Sequence, residues 1–136
     1  MVASSAPVAK ISEYIEISTA TGCPIAQLRL QNRSGTIVYV DKEPPMLSID
    51  DESGISVKNL FSPGYYKADD LNNYVKLESG GKHVYVIKLS QDYDLKPDRV
   101  YTVKTGGQFT DPVTHQQVVV SAMQTKFQYS SSCQKR

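Results

Sequence analysis

Apolar residues in this chain recur at every second position, in short runs broken by glycine, proline, aspartate, asparagine and serine, and no stretch sustains a 3.6-residue repeat. A period of two sends successive side chains to opposite faces of an extended strand, so this pattern constrains the chain to half-buried β-structure. Ile11, Glu13, Ile15 and Ile17 share one parity, with Tyr14 on the other. Leu28-Arg29-Leu30 alternates cleanly, and Thr36 to Val40 is β-branched and aromatic, as strands favour. Met46 to Ile49 and Ile55 to Val57 flank the turn-rich Asp50-Asp51-Glu52-Ser53-Gly54, which reads as a hairpin loop. Pro63-Gly64 marks a turn, and Tyr74 to Leu77 leads into Ser79-Gly80-Gly81. His83 to Leu89 is apolar on both faces, which predicts a central strand. Val100 to Val103, Gln117 to Ser121 and Thr125 to Tyr129 are further extended runs, with a looser segment around Gly106-Gly107 and Asp111-Pro112. Turn signals every ~8–12 residues and about seven short strands predict an all-β, immunoglobulin-like, two-sheet antiparallel β-sandwich. Tyr101, just after the loop Asp94 to Arg99, is placed either as the tyrosine that pins the corner of such a sandwich or as an ordinary strand residue.

The chain's 136 residues suit one domain with its own core. A net charge of +1 offers no footprint for nucleic acid or an anionic membrane. No run approaches the ~18 apolar residues of a membrane span. Residues 1–10 read as a flexible segment without a signal peptide's apolar core, so a mature terminus is expected after an upstream signal has been removed. That implies a secreted protein, in periplasmic transit if bacterial. Cys23 and Cys133 are open to three readings: a disulfide, two thiols, or a Cys133 whose partner lies outside this chain. Asn32-Arg33-Ser34 matches a glycosylation acceptor.

Catalytic groups are scarce. His83 and His115 are too far apart for a helical zinc motif; His83 shares parity with Tyr85, Ile87 and Leu89 and reads as structural, and His115 as solvent-facing. Neither cysteine has a base near it in sequence. Asp50-Asp51-Glu52 lacks the spaced oxygen ligands of a calcium loop and reads as a solvated turn. Tyr65-Tyr66 beside Pro63-Gly64 forms either an aromatic contact patch or core packing. No catalytic residue, metal or cofactor is expected.

The middle of the chain resembles the N-terminal propeptide domain of deuterolysin-type zinc metallopeptidases, which include the peptidyl-lysine metallopeptidases. The similarity runs from Leu28-Arg29-Leu30-Gln31-Asn32-Arg33-Ser34-Gly35 through Leu47-Ser48-Ile49-Asp50-Asp51-Glu52-Ser53-Gly54 and Tyr74-Val75-Lys76-Leu77-Glu78-Ser79-Gly80-Gly81. It continues in Ile87-Lys88-Leu89-Ser90-Gln91-Asp92-Tyr93-Asp94-Leu95 and ends at Val100-Tyr101-Thr102-Val103. Lys126 to Gln134 is similar to the opening of the family's mature peptidase. The resemblance implies a sandwich over residues 11–124, with 125–136 as linker and start of an absent catalytic domain, within which Cys133 would pair. Lys104, Lys126, Lys135 and Arg136 are then processing candidates, Lys126 foremost.

The expectation is a non-catalytic prodomain, or prodomain-like inhibitor, that helps a cognate zinc metallopeptidase fold and covers its cleft until cleaved. The alternatives are an extracellular protein-binding module using loops or an edge strand, and a free-standing inhibitor of another protease class. Gly106, Gly107, Gln108 and Phe109, with Tyr65 and Tyr66, are the expected partner contacts.

Overall fold

A computed structural model describes residues 8–19, 23–60, 71–130 and 133. Strand β1 (Ala9–Ser18) pairs antiparallel with β2 (Ile25–Asn32), from Ile11↔Asn32 to Ser18↔Ile25. Alternation sets their faces: Ala9, Ile11, Ile15, Ala26, Leu28 and Leu30 are buried, whereas Lys10, Tyr14, Gln27 and Arg29 between them are exposed. Strand β3 (Val38–Asp41) pairs with β5 (Tyr74–Leu77) in a separate two-stranded sheet. Between them in sequence lies β4 (Ser48–Asp51). Strand β6 (Lys82–Lys88) follows the turn at Ser79-Gly80, and α1 (Leu89–Asp92) is a single helical turn. The long hairpin β7 (Arg99–Thr110) and β8 (Gln117–Tyr129) completes the main sheet, whose order is β4-β7-β8-β1-β2-β6. The chain is an all-β sandwich of two sheets, with eight strands among the described residues.

One core runs between the sheets. Val38, Val40 and Leu77 of the small sheet join Ile11, Leu28, Ile49, Val103 and Val118 of the large one, together with Leu89, Tyr93 and Leu95 from the connection after β6. Tyr101 is 1% exposed and forms the corner bond: its hydroxyl accepts the Lys96 N–H at 2.7 Å and donates to the Lys96 carbonyl at 3.3 Å. Its ring stacks on Phe127 with centroids 5.5 Å apart. Tyr93, just after α1, likewise accepts the Leu47 N–H at 2.8 Å, immediately before β4.

Four expectations need correction. The sheet is not wholly antiparallel, because β1 and β8 pair in parallel over Ala9↔Val118 to Ile11↔Val120 and so join two hairpins into one sheet. Strand β6 is an edge rather than a centre, and Val84 and Val86 on its outer face are 47% and 57% exposed. Its apolar run misled because β5, after a tight turn, leaves to pair with β3 instead of covering β6. The segment around Gly106-Gly107 is not loose but continues β7 to Thr110. Finally, the sandwich does not end at residue 124, since β8 runs on through Lys126 to Tyr129.

Candidate functional site

Where the large sheet meets Tyr39 to Ser48, the sandwich stays open and encloses a groove of about 540 Å³. Its cause is legible in three local choices of residue. Strand β4 pairs with β7 only from Ser48↔Lys104 to Asp51↔Tyr101. Extending that register would set Pro45 and Pro44 opposite Gly107 and Gln108, and proline has no N–H to give a ladder. Among the described residues, the upper half of β7 is thus left without a paired strand on that side.

The second choice is the glycine pair. The β7–β8 register slips between Thr105 and Gly107, so Ser121 and Ala122 both stand opposite Gly106. Gly106 and Gly107 have φ of 106° and 142°, and a Cβ on Gly106 would fall 2.6 Å from the Ala122 Cα. Beyond the bulge the Asp111 N–H donates to the Gln116 carbonyl at 2.9 Å, which sets the phase of the ladder. Gly107–Val120 and Phe109–Val118 are then the bonded pairs, and the N–H and C=O groups of Gln108 and Thr110 turn away from β8 toward the groove.

The third choice is Glu13. It sits on the inner face of β1 between the buried Ile11 and Ile15, is half-buried, and lines the groove. Here β1 and β8 part, and side chains replace the ladder: Ser121 Oγ accepts the Glu13 N–H at 2.9 Å, and Met123 Sδ the Ile15 N–H at 3.3 Å. Burial pushes the Glu13 carboxyl above the usual carboxylate range, against a hydrogen bond with Thr105 that lowers it. Tyr85 lies on the same side; burial raises its phenol strongly, the charges of Asp41 and Glu13 add to this, and its hydroxyl donates to the Asp41 carbonyl.

The far wall is held by Asp111, 0% exposed. Its Oδ2 accepts the Tyr39 N–H at 2.9 Å, and its Oδ1 accepts the Val113 and Thr114 N–H groups at 2.8 and 3.0 Å. Desolvation would raise its carboxyl, but the bonds from Tyr39, Thr114 and Val113 outweigh it and hold the group below the ordinary range.

The expected contact residues Gly106, Gly107, Gln108 and Phe109 all line this groove, while Tyr65 and Tyr66 lie outside the described residues. Cys23 and Cys133 form a disulfide, so Cys133 pairs within this chain and not within a following domain, as the resemblance had implied. Asn32 is a core residue and not a glycan carrier. Both its Nδ2 protons are used, on the Thr36 and Leu77 carbonyls at 2.7 and 2.9 Å, and its Oδ1 accepts from Ser34. Lys104 and Lys126 stand in paired strands opposite Ser48 and Thr102, which denies a protease the unpaired backbone that cleavage needs. Lys104 also meets Asp50 at 3.6 Å. Lys135 and Arg136 lie outside the described residues. The acidic turn is matched by basic side chains, Arg99 lying 3.7 Å from Asp51 and 3.8 Å from Glu52. His83 is half-buried, edge-on to Tyr85 at 4.6 Å, and His115 is exposed.

Glu13, Asp111 and the Pro44-Pro45 stop are the site residues that the sequence pattern alone does not single out. Glu13 carried a signal, since it breaks an isoleucine parity. Asp111 carried none, because its role depends on Tyr39, distant in sequence. No protein-family model matches this chain, and no curated protein matches it by sequence. The fold and groove define it as an all-β sandwich in which, among the described residues, the upper edge of β7 is unpaired beside a half-buried carboxylate.

Proposed function

We propose that this chain is a non-catalytic, secreted domain that docks on another protein through the groove. The proposed partner is a zinc peptidase of the deuterolysin type, which the chain assists in folding and covers as a prodomain or prodomain-like inhibitor. The observation that carries docking is the groove itself, about 540 Å³ between β7 and Tyr39 to Ser48. A groove of this volume has room for side chains or a short segment of a partner. The Cys23–Cys133 bond is compatible with an extracellular site of action. The peptidase as partner rests on the resemblance. Mixed with such a peptidase stripped of its own prodomain, the chain is expected to lower its activity and raise its refolding yield, and Phe109→Ala to weaken both effects. Unchanged activity and yield would remove the peptidase from this role.

A second reading, an extracellular binding module independent of any peptidase, is favoured by the other end of the chain. Strand β8 continues through Lys126, and Cys133 is tied back to Cys23, so both are joined to the rest of the fold, which suits a module that binds without a peptidase. Under this reading the zinc peptidase experiment fails while the groove still binds.

A further inference from the structure

We propose that the groove is an acceptor slot for one extended segment of a partner protein, which pairs with the open edge of β7 at Gln108 and Thr110 and turns a lysine or arginine side chain inward to Glu13. This deepens the docking reading and rests on it.

The edge supplies the first half of the argument. Gln108 and Thr110 present N–H and C=O groups at strand spacing, and β4 stops short of them at Pro44-Pro45. A row of such groups is satisfied by another strand, whose backbone matches it whatever its sequence. Residues 105 to 110 span about 20 Å, room for about five or six residues of a partner. The slot is walled by β7 on one side and by Tyr39 to Ser48 on the other, which suits a single detached segment.

Charge supplies the second half. Glu13 and Glu43 both line the groove, Glu13 from the inner face of β1. Among its described lining residues Lys104 is the sole cation, and it is drawn to Asp50. An inserted strand that brought a leucine inward would strip water from Glu13 without replacing it. An ammonium or guanidinium would supply a charge-assisted hydrogen bond instead.

Three blocked pentapeptides of alternating threonine and valine, with lysine, norleucine or glutamate at the centre, test this by titration and amide hydrogen exchange. The lysine peptide is expected to slow exchange at Gln108 and Thr110 and to bind about tenfold tighter than the norleucine peptide, with the glutamate peptide weaker still. Glu13→Gln should bring the lysine and norleucine peptides to equal affinity. Gln108→Pro, which removes an N–H that β8 does not use, should weaken all three while leaving the β7–β8 amides protected. If no peptide protects Gln108, the strand slot is overturned, whereas the peptidase mixing experiment still decides the docking reading. Equal lysine and norleucine affinities in the parent chain overturn the cation. Equal binding by lysine methylamide without amide protection points to a small-molecule site and overturns the segment. Protection that appears without peptide and rises with protein concentration makes the occupant a second copy, which also overturns it.

Discussion

Two carboxylates, the half-buried Glu13 lining the groove and the buried Asp111 behind its wall, answer to pH in opposite directions. Asp111 is held ionised by three backbone N–H groups, so its folded pKa lies below that of the unfolded chain. Its contribution is fully present above about pH 4 and is lost as pH falls through the lower folded value. Asp111→Asn places an NH₂ group against the Tyr39 N–H, leaving two donors face to face. Chemical denaturation at pH 7 should show a loss of about 1–3 kcal/mol, and the variant's stability should depend less on pH below 4. Glu13 has the reverse sign. Its folded pKa is raised, so the neutral acid favours folding and stability declines as pH rises through that value. Glu13→Leu is therefore expected to stabilise the protein at pH 7 by about 0.5–1.5 kcal/mol, read as a higher thermal midpoint, while abolishing the preference for a lysine peptide. A residue whose removal strengthens the fold and weakens binding is held by function; a destabilised variant with unaltered binding would show Glu13 to be structural.

At the scale of elements, the β8 bulge opposite Gly106 sets which β7 backbone groups face the groove. Gly106→Ala puts a methyl group against backbone that cannot yield, at a φ that a side chain resists, and should lower stability by more than about 1 kcal/mol. Gly35→Ala, with nothing within 4 Å, should be neutral or slightly stabilising, which separates a steric effect from a general one. The strands themselves were legible in the sequence, because alternation such as Ala26, Leu28 and Leu30 against Gln27 and Arg29 is local information. Which strands neighbour one another was not. The sequence His83 to Leu89 is the same whether β6 is covered or open, and its place was settled by β5 choosing β3. Lys82 and Lys88 at its two ends then suit an edge that must not pair with copies of itself. The groove was half legible: Gly106 to Phe109 stood out by composition, whereas the open edge needed Pro44-Pro45 brought into register from far away in the chain.

For the whole molecule, the disulfide is the constraint with the longest reach, and it is compatible with an extracellular location. Cys23 and Cys133 are 110 residues apart in sequence, so their bond closes nearly the entire chain into one loop. It ties the loop before β2 to the residues after β8, two regions otherwise linked through β1 and its short parallel pairing with β8. On the chain-entropy model, a loop of this size restricts the unfolded state by about 4–5 kcal/mol, and removal of native bonds in small secreted domains typically costs 2–5 kcal/mol. Cys23→Ser with Cys133→Ser should fall in that range. Because the effect acts on the unfolded chain, the variant's denaturant slope should rise as its midpoint falls, the freed chain exposing more surface. Amide protection at Gln108 should persist when the lysine peptide is bound in mild denaturant-free buffer, since the groove lies between β7 and Tyr39 to Ser48 and shares no ladder with either cysteine. Loss of peptide binding together with an unchanged slope would instead mean that the disulfide shapes the folded groove directly.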